Sequence, residues 1–380
     1  MNNPVYLDYN ATTPVAPDVV DAMAEALRHV YGNPSSGYAK GKDAANRMDF
    51  ARGQVADLVG ARSSAIVFTG CATESNNLAL LGVAASRSEP GHLIISAVEH
   101  PAVTAPARHL ETQGWRLTVL PVDTTGRVSA QQVADALCPD TVLVSVMLAN
   151  NEVGTVQPIA DIGRVLRDSG ILFHTDAAQA VGKIPVDVDS LGVDLLTIAG
   201  HKFRASKGVG ALYVRPGTRI QRITHGAGHE QGLRPGTENV PAIVGLGVAA
   251  ELASRHLGGA DNRLTKHRDQ LHAALRAGVP GLLLNGHPEH RLPNTLHVSF
   301  PGVSGQALLD MASGVVMASV GSACHSGSAA PSGVLGAMGL DADRAQGAVR
   351  LSVGWETTAS EIDRAAQALI EAWQRLSANA

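Results

Sequence analysis

From residue 61 to residue 215, short apolar runs alternate with segments of helical character. The runs cover residues 65–68, 92–96, 117–120, 141–146, 171–174 and 194–198, and 208–214 adds a seventh. Most are unbroken β-branched stretches, not strict alternations, which is the pattern of strands covered on both faces. Strands alternating with helices predict a mainly parallel seven-stranded sheet in an α/β unit. A helix predicted from about Pro241 to His256 leads into a linker at 257–261. Beyond it the strand signal thins to 294–300, 315–320 and 348–353, set among amphipathic helices. The last of these helices is predicted from Thr358 to about Leu376. The expected organisation is a large α/β unit over 15–257, with 1–14 and 258–380 forming a smaller α+β unit.

Composition narrows the classes. The 380 residues are 45% hydrophobic and 17% charged, enough apolar content for two cores. A net charge of −4 gives no electrostatic footprint for nucleic acid. No apolar run is long enough to predict a membrane span. The N-terminus has no basic region followed by an apolar stretch, so no secretory signal is expected. Three scattered cysteines, Cys71, Cys138 and Cys324, predict neither a disulfide framework nor a metal cluster, and they suit a reducing cytoplasm.

The candidate chemistry gathers at the ends of the predicted strands. Of six lysines, only Lys202 follows directly on a buried-looking strand. Desolvation there would favour a neutral, nucleophilic amine. The strand at 171–174 runs on to Asp176. A lysine for an imine and a carboxylate for a pyridinium nitrogen are the minimum of a pyridoxal phosphate site. A snorkelling lysine and a strand-terminal Asp would read the same way. Thr73 lies where a strand turns into a helix, an anion-binding N-terminus or an ordinary cap. His100, Asn151 and Gln179 follow other strand ends, where a ring-stacking histidine or ordinary turn residues fit equally. Cys324 stands in a Gly/Ser-rich segment beside His325, which suits a reactive, mobile thiol or a small turn residue. Arg350 sits inside a predicted strand and needs an anionic partner, of which a substrate carboxylate is the obvious candidate.

Nine ordered motifs make the chain resemble the cysteine desulfurases, class V members of the fold-type I pyridoxal phosphate enzymes. They include Leu7-Asp8-Tyr9-Asn10-Ala11-Thr12-Thr13, Ala72-Thr73-Glu74-Ser75-Asn76-Asn77, Glu99-His100, Gly200-His201-Lys202-Phe203 and Gly321-Ser322-Ala323-Cys324. The resemblance implies that Lys202 carries the cofactor and moves the α-proton. It implies that His100 stacks on the ring, Asp176 pairs with its nitrogen and Gln179 bonds its hydroxyl. Thr73 and His201 would hold the phosphate, and Thr237 would reach a partner subunit's phosphate in a homodimer. Asn33, Asn151 and Arg350 match positions that bind the substrate carboxylate. Cys324 matches the thiolate that attacks the sulfur of L-cysteine, leaving alanine and a persulfide. A sulfur-acceptor protein is then expected. Iron–sulfur clusters, tRNA thiolation and DNA phosphorothioation all remain open as destinations. A selenocysteine lyase and a catalytically idle scaffold are the alternatives.

The chain departs from the usual pattern at Cys71, at Ala199, at Arg204-Ala205-Ser206-Lys207-Gly208 and at His229-Glu230-Gln231-Gly232. The first places a second thiol near the expected phosphate. The Arg204 change is expected to alter a surface or a partner contact. Residues 322–332 are expected to be mobile, with Cys324 away from Lys202 at rest.

Overall fold

The computed structural model describes residues 3–258, 262–320 and 332–378. Twelve strands occur among them. In chain order they are β1 (Val5–Tyr6), β2 (Ile66–Thr69), β3 (His92–Ser96), β4 (Arg116–Leu120), β5 (Thr141–Ser145) and β6 (Leu172–Asp176). Then come β7 (Leu195–Ala199), β8 (Gly210–Val214), β9 (Leu283–Leu284), β10 (Thr295–Ser299), β11 (Val316–Met317) and β12 (Ala348–Ser352).

Seven of these form the large sheet, in the order β2-β8-β7-β6-β5-β3-β4. Pairing is parallel from β4 through β7, whereas β8 is antiparallel to both β7 and β2. β2 therefore runs in the same direction as β7. β8 needs no crossover helix, because it returns directly after the short loop that follows Lys202. The predicted seventh strand is present, but its reversed direction was not legible in an apolar run.

β3 and β7 are buried at every position, as strands covered on both faces must be. Successive residues point to opposite faces. Leu196 and Ile198 join a cluster with Val19, Val55, Leu246 and Ala250, from helices Pro17–His29, Ala39–Leu58 and Val240–Gly258. Leu195, Leu93 and Ile95 join a second cluster with Leu78, Val103 and Leu110, from helices Ala72–Ala85 and Pro101–Thr112. The Val240–Gly258 helix extends into the predicted linker.

A third cluster unites Val5 and Leu7 with Leu271, Leu296, Leu351 and Leu369. Here β12, β10 and β9 form an antiparallel sheet, and β1 pairs with β11. The N-terminal segment thus packs with residues some 300 positions away. The final helix, Ala359–Ser377, starts with a capping box in which Thr358 and Glu361 satisfy each other's backbone donors.

Glu230 is buried and has a left-handed backbone, with φ 46°. Its carboxylate accepts a fork from Arg52 at 2.7 and 2.8 Å and the Phe68 N–H at 2.7 Å. This joins helix Ala39–Leu58, β2 and the segment carrying Thr237. Removing one partner of a buried ion pair strands the other charge, at a cost of about 3–5 kcal/mol. Glu230→Ala should therefore lower the thermal midpoint by many degrees in a calorimetric scan. A midpoint within a degree of the parent would show that the pair is not structurally important.

Candidate active site

Open α/β sheets bind ligands at the carboxyl ends of their parallel strands. Five such ends meet on one edge here. β2 leads to Cys71, Ala72 and Thr73, β3 to Glu99 and His100, and β5 to Asn151. β6 ends on Asp176 with Gln179 beyond, and β7 leads to His201 and Lys202. Together with Arg350 from β12 they line a cleft of about 540 Å³. Thr73, His100, Asn151, Asp176, Gln179, His201, Lys202 and Arg350 are thus brought together. Asn33 is exposed, does not line the cleft, and uses its side-chain oxygen to accept from the Ser35 N–H. Thr237 is exposed and also outside the cleft. Cys324, and the predicted mobile segment except Ser332, lie outside the described residues.

Lys202 closes a short 3₁₀ turn, Gly200–Lys202. Its ammonium donates to the carbonyls of Asn10 at 2.7 Å and Ala11 at 2.8 Å. Asn10 is 1% exposed and works as a hub. Its carbonyl also accepts from Gln179 at 2.9 Å, and its side chain donates to Thr295 at 2.9 Å and to the Asn151 carbonyl at 3.2 Å. Its side-chain oxygen accepts from Asn294 at 3.0 Å and from Lys183 at 3.3 Å. Sequence reasoning quoted Asn10 only as part of a motif.

Lys183 was also missed. It donates to the Gln179 oxygen at 2.6 Å. Burial first, then Lys202 and Arg350, holds its pKa well below the usual lysine value. A second lysine beside the site, Lys183, is therefore the desolvated one that the structure shows. Lys183 falls four residues after Gln179, a spacing that a helical turn brings together.

Asp176 accepts from the Asn76 amide at 2.7 Å and from the Ala178 N–H at 2.9 Å. Each carboxylate oxygen keeps further acceptor capacity. His100 caps helix Pro101–Thr112, its Nδ1 accepting the Ala102 N–H at 3.1 Å. Burial lowers its pKa, Asp176 opposes and Lys202 assists. The ring is therefore neutral at pH 7, with its proton on Nε2. His201 is held at a pKa of about 4 by burial and by Lys202, Lys207 and Lys183, and its Nδ1 lies 3.2 Å from the Thr12 hydroxyl. Beside them Glu99 is pushed up to about 8 by burial, against hydrogen bonds from Ser96 at 2.5 Å and Met147 at 2.9 Å. Glu99 thus holds its proton at neutral pH.

Arg350 is 3% exposed. It donates to Asp8 at 2.6 Å and to the Asn151 carbonyl at 3.0 Å, while its Nε is buried with no hydrogen-bond partner among the described residues. The anionic partner that its strand position demands is supplied by the chain itself, through Asp8. The Arg204 guanidinium is 16% exposed, pairs with Glu356 and lies 5.2 Å from the Trp355 ring centre, while the expected partner contact is a matter for the assembled protein. The Arg204 N–H donates to the Thr13 hydroxyl at 2.9 Å.

A phosphate-bearing ring fits this donor set. Helix Ala72–Ala85 opens at the cleft with Ala72 and Thr73, and Cys71 stands at its cap position, exposed. β8 enters beside it at Gly210, where a Cβ would lie 2.7 Å from the Ile198 oxygen and 2.9 Å from the Cys71 carbonyl carbon. The Asn76 side-chain oxygen is buried in the cleft wall with no partner among the described residues. Helix N–H groups, a hydroxyl and a neutral histidine suit an anion, while a carboxylate deeper in suits a ring N–H.

Comparisons with known proteins agree. The family model described as aminotransferase class-V matches residues 5–365. The chain is 44% identical over 377 residues to the cysteine desulfurase IscS of Methanosarcina thermophila, covering 99% of this chain and 93% of that protein. The solved structure titled NifS-like protein superposes with a TM-score of 0.92 at 39% identity, covering 98% of this chain and all of that one. A second, titled SspA in complex with cysteine, gives 0.82 at 39% identity over 92% of this chain and 98% of that one. The chain belongs to the class-V aminotransferase family and, within it, to the cysteine desulfurases.

Proposed function

We propose that the cleft holds pyridoxal phosphate and that the chain uses it to take sulfur from L-cysteine, releasing L-alanine. The observation that carries this reading is the convergence of Lys202, Asp176, His100 and Arg350 on one cleft beside a helix N-terminus. Thr73, His201 and the first N–H groups of helix Ala72–Ala85 would hold the phosphate. Asp176 would hold the ring nitrogen, and His100 would cover the ring. Gln179 has one amide N–H on Asn10 and a second available for the ring hydroxyl. When bound, the cofactor supplies an electron sink for the substrate's α-carbon.

The protein's own part is positioning and proton handling. Two backbone carbonyls aim the Lys202 amine. Lys202 would move the α-proton. Arg350, with its Nε still free of partners among the described residues, would take the substrate carboxylate together with Asn151. Asn33 belongs to this set only if residues 33–36 approach the cleft on substrate binding. Cys324 would attack the substrate sulfur and keep it as a persulfide, and an acceptor protein would then collect it. A homodimer is part of the reading: Thr237 is exposed, beyond reach of its own cleft, which supports a role at the partner subunit's phosphate. With only three cysteines in the chain, we place this chemistry in the cytoplasm.

Incubation with L-cysteine and a thiol reductant should release L-alanine and sulfide in equal amounts, and Cys324→Ser should abolish that release. Undiminished release from the variant would remove Cys324 from the reaction. Arg350→Ala should raise KM for L-cysteine roughly ten- to a hundred-fold, the effect of losing about 1.5–3 kcal/mol of charge-assisted hydrogen bonding. An unchanged KM would mean that Arg350 serves Asp8 alone.

A further inference from the structure

Away from the cleft, helix Arg263–Gly278 carries Arg268, His272 and Arg276 at intervals of four residues, which places them on one face. Arg291, from the turn before β10, joins them. Together with Asp269 and Pro288 they line an open pocket of about 690 Å³. The charges do not balance. One oxygen of Asp269 accepts from Arg268 Nε at 2.8 Å and from Arg291 Nη2 at 3.4 Å. Three guanidinium charges thus face one carboxylate, leaving an excess of two.

Arg291 is the anomalous member. Its side chain is only 8% exposed, yet its Nε and Nη1 are buried without any hydrogen-bond partner among the described residues. Burial and the neighbouring Arg268 hold its pKa below the usual arginine value, and Asp269 opposes them only in part. His272 is held below its usual value by burial, then by Arg291 and Arg276. A buried guanidinium with unmet donors costs several kcal/mol unless an anion or a comparable acceptor meets it. Arg268 has its own occupations, with Nη1 on the Leu292 carbonyl at 2.9 Å. Arg276 is exposed at the rim of the pocket and completes the ring of donors from the solvent side.

We infer that this pocket is a binding site for an oxyanion of the phosphate class, separate from the cleft that carries Lys202. A doubly charged anion matches the excess of two, and guanidinium forks match phosphate oxygens in pairs. Inorganic phosphate and the phosphates of a nucleotide share this chemistry.

Titration calorimetry on cofactor-saturated protein, so that the cleft beside Lys202 is filled, distinguishes these sources. Inorganic phosphate and ADP are titrated separately at low ionic strength against matched chloride. Saturable heat from phosphate assigns the free ion, and heat from ADP alone assigns a nucleotide phosphate. In either case Arg276→Gln and Arg291→Met should each weaken binding about ten-fold or more, the equivalent of one charge-assisted hydrogen bond. Arg276 is exposed, so its variant folds normally and decides the matter even if Arg291→Met does not fold. Absence of saturable heat with both probes, or parental affinity in Arg276→Gln, overturns the inference.

Discussion

The N-terminal strap over residues 8–13 is the constraint on which the site depends. It lies between the turn after β7 and the end of β12, and it is held from both sides. Asn10 and Ala11 offer their carbonyls to Lys202, Asp8 offers its carboxylate to Arg350, and Thr13 bonds the backbone of His201 and Arg204. The strap also crosses between packed clusters, since Leu7 belongs with β10 and β12 while Lys202 belongs to the large sheet. The lysine and the arginine therefore keep a fixed relation although 148 residues of chain separate them. Hydrogen bonds to backbone carbonyls suit this task, because main-chain acceptors anchored at both ends cannot rotate away as side chains do.

The same arrangement sets the charges of the cleft. Burial first, then the neighbouring Lys202 and Arg350, lowers the affinity of Lys183 for its proton. Burial first, with the neighbouring lysines assisting, lowers the pKa of His100 and His201, while burial raises that of Glu99. Lys202 and Arg350 give the cleft positive charge where an anionic cofactor and a substrate carboxylate would enter, and Asp176 places a carboxylate at the end of β6. Desolvation is the largest cause of each of these shifts.

Much of this was legible in the chain. The parallel strands were, because strands buried on both faces must be apolar throughout, and their polar terminations marked the cleft edge. The reversal of β8 was not, since an apolar run carries no direction. Lys202 stood out because a strand runs straight into it. Lys183 did not, because its burial comes from packing against residues far away in sequence, Asn10 among them. Arg350 was recognised as needing an anion, but Asp8, 342 positions earlier, could be identified only once the third cluster had folded. The intrachain contacts of Arg204 were not legible for a similar reason: Trp355 and Glu356 arrive from the other end of the chain.

Lys202 lines the cleft, Lys183 is hydrogen-bonded to Gln179 of the same cleft, and the account assigns the cofactor to Lys202. Borohydride reduction of the purified holoprotein fixes the cofactor to whichever amine carries it, and peptide mass mapping then locates the adduct. The account predicts a pyridoxyl phosphate mass on the peptide containing Lys202 and none on the peptide containing Lys183. An adduct on Lys183, or no adduct on either peptide, would contradict it.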